Sequence, residues 1–260
     1  MKQVAGLVLW MGLCLHAAVG QPSWGWRLWG EAAAVLGGAL DRLWVHPAGL
    51  PATSSAGLSW ERRFALGELE SLSAGFVGRL RSWRLGLGLS GFGFSLYREL
   101  RARLAASRAL DPSLGLGVYW EAATRSVARY GRSGMLTIGG GLDWGSGPWR
   151  AAVALRPILA TAWSNREREP RRLLLAAAYA KADLELALGW EAAPTATPSP
   201  IGAFAWRPRP ELLLGLGFRP EPPEWAAGAQ LRRGRLRVGW AVSRHLDLGW
   251  SPLLELCWER

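Results

Sequence analysis

In the stretch Asp183–Glu191, Leu184, Leu186, Leu188 and Trp190 share one parity, and Asp183, Glu185, Ala187, Gly189 and Glu191 share the other. Side chains alternate faces along a strand, so this spacing predicts a strand with one apolar and one polar face. A helix would spread the same leucines and charges around its whole circumference. Leu173–Ala180 alternates in the same way, and Lys181-Ala182 between the two predicts a hairpin with a tight turn.

The unit recurs along the chain. Strands are predicted at Ser55–Phe64, Ser71–Leu80, Trp83–Phe92, Ala102–Ala109, Ser113–Glu121, Met135–Trp144, Trp149–Arg156, Leu173–Ala180, Asp183–Glu191, Ile201–Arg207, Glu211–Phe218, Trp225–Arg232, Arg235–Ser243 and Ser251–Trp258. Most have the length of a tilted membrane-crossing strand. Short connections (Arg81-Ser82, Leu110–Pro112, Gly145–Pro148, Lys181-Ala182, Pro208–Pro210, Arg233-Gly234) alternate with longer ones, notably Ala122–Gly134, Pro157–Arg172 and Ala192–Pro200. This pattern predicts an all-β fold: a transmembrane up-and-down antiparallel barrel of about 14 strands, with both termini on the periplasmic side. A soluble sandwich or lipocalin does not need so many strands with one consistently apolar face. A propeller repeat is absent.

The apolar parity carries Leu58, Trp60 and Phe64, then Leu85, Leu87 and Leu89, then Leu236, Val238 and Trp240. Trp60, Trp83, Trp120, Trp144, Trp149, Trp190, Trp225 and Trp258 fall near predicted strand ends, where an aromatic girdle meets lipid headgroups. The opposite parity holds Gly86, Gly88, Gly115, Gly117, Gly139, Gly141, Gly189, Gly228 and Gly239, beside Arg84, Glu121, Asp143, Arg150, Arg156, Glu185, Glu191 and Arg237. Glycine in a strand marks curvature or close approach of another backbone. Here the glycines are expected to make room for an N-terminal segment, and the mixed charges to brace a narrow lumen as mutual ion pairs.

Residues 1–20 read as a cleaved secretory signal: Lys2, an apolar stretch, then Ala18-Val19-Gly20 before Gln21. Residues 21–53 read as a plug or hatch inside a barrel formed by residues 54–260. The plug carries Trp24, Trp26, Trp29 and Trp44, and ends in the turn His46-Pro47-Ala48-Gly49-Leu50-Pro51. Trp24, Trp26, Trp29, Trp44, His46, Pro47 and Gly49 are the candidate plug and ligand residues. Arg166, Arg168, Arg171 and Arg172 are candidate docking residues on a long loop.

The formal net charge is +11, yet the arginines are scattered over loops, turns and inward parities rather than gathered on one face. That pattern argues against nucleic acid as a partner and suits anionic headgroups of outer-membrane lipid. The two cysteines, Cys14 and Cys257, cannot form a disulfide once the leader is removed. Gly86-Leu87-Gly88-Leu89-Ser90-Gly91 spells a dinucleotide fingerprint but lies inside an alternating strand, which excludes that reading. His46 and His245 are too far apart in sequence to suggest a metal pair, and no nucleophile elbow occurs. No enzyme, cofactor or metal is expected.

Several short stretches resemble the PorV/PorQ-like outer-membrane proteins, relatives of the FadL-like long-chain fatty-acid transporter barrels. They are Leu36–Asp41, followed by His46-Pro47-Ala48-Gly49-Leu50; Gly86–Tyr97 with Arg98-Glu99; Arg129-Tyr130-Gly131; and Phe218–Pro220 through Arg237–Ala241 to His245–Ser251. His46 stands where the family has asparagine, and Trp258 is followed by Glu259-Arg260 rather than ending the chain. The resemblance implies a bacterial outer-membrane barrel with an N-terminal hatch. Its implied roles are passage of hydrophobic small molecules or a type IX secretion accessory that meets secreted proteins. The alternative is a structural or docking barrel without transport.

Overall fold

In a computed structural model, the described residues are 39–164, 170–194, 196–221 and 223–260. A short helix, α1 (Ala39–Val45), and a 3-10 turn (Pro47–Gly49) precede the strands. The strands are β1 (Ser55–Arg62), β2 (Glu70–Leu80), β3 (Trp83–Gly93), β4 (Tyr97–Ala109), β5 (Leu114–Val127), β6 (Gly131–Ser146), β7 (Trp149–Ser164), β8 (Arg172–Lys181), β9 (Leu184–Ala193), β10 (Ala196–Arg209), β11 (Leu212–Arg219), β12 (Glu224–Arg233), β13 (Leu236–His245) and β14 (Gly249–Glu259). Each pairs antiparallel with its sequence neighbours, and β1 pairs with β14 from Ser55↔Glu259 to Glu61↔Leu253. The result is a closed, 14-stranded, up-and-down barrel. Closure leaves no open sheet edge, which is the condition for a sheet to sit in hydrocarbon. No helix among the described residues is long and apolar enough to cross a membrane.

The outer face is apolar along the middle of the strands. Leu58, Leu72, Phe76, Leu87, Leu104, Leu136, Leu188, Leu216 and Val238 all point outward. Trp83, Trp144, Trp149 and Trp258 ring the end that carries the termini, and Trp190, Trp225 and Trp250 the opposite end. Trp120 departs from expectation: β5 runs on to Val127, which puts this side chain in mid-strand. Phe64 also departs, because β1 stops at Arg62 and Phe64 sits in a 3-10 turn at φ 54°.

The connections are corrected more widely. The region Ala122–Gly134 is mostly β5 and β6 with a turn at 128–130, Pro157–Ser164 belongs to β7, and β10 begins at Ala196. Among the described connections on the side opposite the termini, the longest is 63–69.

The inner face has two halves. On β7 to β14 the middle of the inward face is small and apolar, with charged pairs above and below it. Ala152, Ala154, Leu174, Ala176, Ala178, Ala187, Ala203, Ala205, Ala226, Ala241 and Leu253 form one buried cluster with Val45 of α1. On β4 and β5 the inward positions are charged. Arg101 bonds Glu99 and Glu121, Arg103 bonds Glu121, and Arg125 lies 3.6 Å from Glu99. The pairs Arg172–Glu191, Arg207–Glu185 and Arg237–Glu259 add to this bracing.

Candidate functional site

The candidate site is the segment 39–50, which lies against the inner wall. Leu40, Leu43, Trp44, Val45, His46, Ala48 and Leu50 are each almost wholly buried. Burying a side chain of the Leu or Val class is worth about 1.5–3 kcal/mol relative to leaving it in water, so apolar burial favours the packed position.

The wall beneath the segment is a floor of glycine. A Cβ on Gly88 would stand 2.8 Å from the Trp44 ring, one on Gly86 2.6 Å from Leu43, and one on Gly57 2.7 Å from Leu40. A Cβ on Gly117 would stand 2.5 Å from both Ala48 Cα and the Pro47 carbonyl carbon. The last contact is the most restrictive, because both neighbours are backbone. Gly75, Gly115 and Gly141 meet Leu40, Ala48 and His46 in the same way. Gly139 faces Tyr119 instead.

Guanidinium groups bind the segment's carbonyls. Arg103 Nη1 donates to Trp44 O and to Leu43 O, at the C-terminal end of α1, where the orphan carbonyls favour a cation. The same guanidinium lies over the rings of Tyr119 and, at 5.2 Å, Trp44. Arg84 Nη1 donates to Leu50 O at 2.7 Å, and Arg42 Nη1 to Gly49 O at 2.7 Å. The segment is therefore tied to β3 and β4 and rests on β1, β2, β3, β5 and β6.

His46 lies between the segment and the β6 wall, with Nε2 3.9 Å from Asp143 Oδ1. It belongs to the entry to β1, outside the spanning strands. Burial first, then the positive fields of Arg42 and Arg156, push its imidazole down to about 3. The ring is thus neutral at ordinary pH and packs as an uncharged group.

Of the expected site residues, Trp44, His46, Pro47 and Gly49 come together in this segment. Trp24, Trp26, Trp29, Arg166 and Arg168 lie outside the described residues, as do the whole of the leader 1–20 and residues 21–38. Arg171 is exposed at the upper rim. Arg172 is not a loop residue: it opens β8, and its Nη1 donates to Glu191 Oε1 at 3.0 Å. Gly57, Gly75, Arg101 and Arg103 escaped the sequence reading. Arg103 had a signal available, namely its place on the parity of Arg101 and Glu99. Among the described residues no group of three His, Cys, Asp or Glu is placed to hold a metal ion.

These features define the protein's class: a closed 14-stranded transmembrane β-barrel with an N-terminal segment packed inside. No family model matches the chain, and neither does any curated protein. Solved structures do. The CymD monoaromatic hydrocarbon channel matches with a TM-score of 0.66 at 12% identity, over 93% of this chain and 97% of that one. The P. putida toluene transporter TodX matches with a TM-score of 0.59 at 13% identity, over 90% and 99%. The Acinetobacter baumannii outer-membrane protein Omp33 matches with a TM-score of 0.52 at 9% identity, over 82% and 100%. At these identities the likeness is one of fold. The fold is that of the CymD and TodX structures.

Proposed function

We propose that this protein is a bacterial outer-membrane barrel, exported by the leader 1–20, that admits small hydrophobic molecules past a plug formed by residues 21–53. The observation that carries the reading is the packing of Val45 against the alanine-lined half of the lumen. That strip runs from Leu174 and Ala226 near the upper rim to Ala178 and Ala205 toward the terminal end. It offers an apolar path beside a charged wall whose ion pairs are internally matched, and the inner segment stands across it. CymD, a monoaromatic hydrocarbon channel, and TodX, a toluene transporter, share the fold and agree with that substrate class.

The test is entry of radiolabelled toluene, together with ion conductance, for the barrel with and without residues 21–51. The full barrel is expected to speed toluene entry, and the deletion to raise ion conductance. Toluene entry no faster with the barrel than without it overturns the hydrophobic-passage reading. Conductance unchanged by the deletion overturns the plug.

A second reading, of PorV/PorQ type, has the upper rim dock secreted proteins as a type IX secretion accessory. It rests on the exposed Arg171 beside the 165–171 connection. Arg172, at the start of β8, pairs with Glu191 and is the least available of the four candidate arginines. Reversing the charge at Arg166, Arg168 and Arg171 is expected to abolish co-purification of a secreted partner; undiminished recovery counts against docking.

A further inference from the structure

At the end of the barrel opposite the termini, β1 stops at Arg62 while its neighbour β14 reaches up to Gly249. The ladder between them ends at Glu61↔Leu253, so residues 249–252 of β14 have no partner in β1. The connection 63–66 takes that place and turns inward. Phe64 N donates to Ser251 Oγ at 2.9 Å, and the Phe64 ring stands edge-on to His245 of β13, with centroids 6.1 Å apart. Arg63 is only 3% exposed. Its guanidinium lies 5.6 Å from the ring centroid of Phe92 and 3.3 Å from Glu61 Oε1.

Two carboxylates outside the connection also act on Arg63, Glu224 foremost and then Glu99. Glu224 opens β12 and Glu99 lies near the start of β4, each three strands from β1 in opposite directions round the ring. A cation in the field of both reaches over the lumen rather than standing on the wall. Beneath it Glu61, Ser71, Ser243 and Ser251 face inward and are almost wholly buried. The backbone that carries Arg63 is strained. Phe64 and Ala65 have φ of 54° and 56°, in the left-handed region that a Cβ disfavours. The other described non-glycine residues with positive φ, Arg81, Arg129 and Ala182, are single residues in turns. Two in succession are kept there only by the contacts around them.

We propose that residues 63–66 are a lid over the mouth of the lumen at this end. Closed, the lid is latched by the Arg63–Glu61 pair, the bond from Phe64 N to Ser251 and the His245 contact. Open, it gives up those latches and relieves the strain at positions 64 and 65. The latches favour one form and the strain the other, so the closed form is held without being locked, and a shift of population opens it. The lid decides when a molecule enters the lumen from this side. The inference rests on the reading of the lumen as a passage for small hydrophobic molecules, with this end facing outward.

The experiment places a thiol beneath the lid, Ser243→Cys, in a Cys257→Ala barrel in detergent, and follows its rate of reaction with N-ethylmaleimide. Ser55→Cys, buried and inward at the terminal end, is the control. The native loop is expected to protect position 243. Arg63→Ala removes a latch, and Ala65→Pro forbids the positive φ because proline fixes that angle at about −65°. Each should speed the reaction at 243 at least tenfold and leave position 55 unchanged. Ala65→Gly relaxes the closed form and should slow the reaction at 243. Equal rates at 243 in all four loops overturn the lid. So does an equal acceleration at 55, which would be a loosening of the whole barrel. Toluene entry, measured on the same loops with Ser243 in place, should rise with Ala65→Pro and fall with Ala65→Gly. Entry above the barrel-free rate but alike in every loop overturns the lid as a gate on the passage. Entry at the barrel-free rate in every loop, with thiol rates that follow the lid, overturns the passage reading and keeps the lid.

Discussion

The Arg103 guanidinium lies 4.1 Å from the ring centroid of Tyr119, while its other edge bonds Glu121 and the last carbonyls of α1. One side chain therefore joins the charged wall, an aromatic face and the inner segment. Replacing it with methionine removes one of the two arginines on Glu121 and leaves the Trp44 carbonyl without that donor. Breaking a buried pair from one side costs about 3 kcal/mol. The Arg103→Met variant is expected to show a lower denaturant midpoint of barrel unfolding in detergent. Arg103→Lys should fall less, since it keeps the charge and loses the fork.

A Cβ at position 117 has no room while Ala48 stays in place. Gly117→Val is expected to drive the segment off the wall and leave the barrel closed. An engineered thiol, Ala48→Cys, should then react with maleimide in the valine background and stay protected in the native one. Gly91, with nothing within 4 Å of its would-be Cβ, is the control: Gly91→Val should leave the thiol protected.

The docking of the segment should depend on pH through His46. Its folded pKa, about 3, lies below the unfolded value of about 6.5. The unfolded or undocked form takes up the proton first, so stability falls as pH drops from 6.5 toward 3 and is flat above 6.5. The slope is about 1.4 kcal/mol per pH unit in that window. Unfolding midpoints at pH 7 and pH 5 check this. The loss between them should shrink in His46→Gln, and an unchanged loss would assign the acid sensitivity to other groups.

Leu104 lies outward at the middle of β4, between Ala102 and Ala106. An arginine at the centre of a lipid-facing strand costs roughly 2–4 kcal/mol. Leu104→Arg is expected to slow insertion into vesicles and lower the folded fraction. Leu246→Arg, at the upper turn between β13 and β14, should do neither.

The strands were legible in the sequence wherever one face meets lipid and the other does not. Leu184, Leu186 and Leu188 against Glu185, Ala187 and Gly189 is a contrast that only a strand produces, and β9 is found there. The same rule explains the misses. At Tyr97–Arg101 and Thr124–Val127 both parities carry polar residues, because that part of the strand stands at or above the rim. Alternation vanishes there, although the hydrogen-bonded ladder continues. Pro157 hid the end of β7 in another way: the register slips opposite Ile138–Gly140, and the strand continues to Ser164 past that irregularity. In the site, Trp44 and His46 were visible because their residue types are unusual before a Pro-Gly turn. Gly57 and Gly75 were not, because a glycine that touches a side chain from a distant segment leaves no local mark.

The glycine floor also bears on the closure of the ring. Gly57 of β1 has Leu40 on one side and Cys257 of β14 on the other, both within reach of a single added carbon. The inner segment thus borders the seam where the first strand meets the last. Its ties to Arg84 and Arg103 involve strands made early in the chain, whereas Val45 needs the alanine wall made late. The segment therefore touches both the first strands of the ring and the last, and its seat is complete only where the ring is closed.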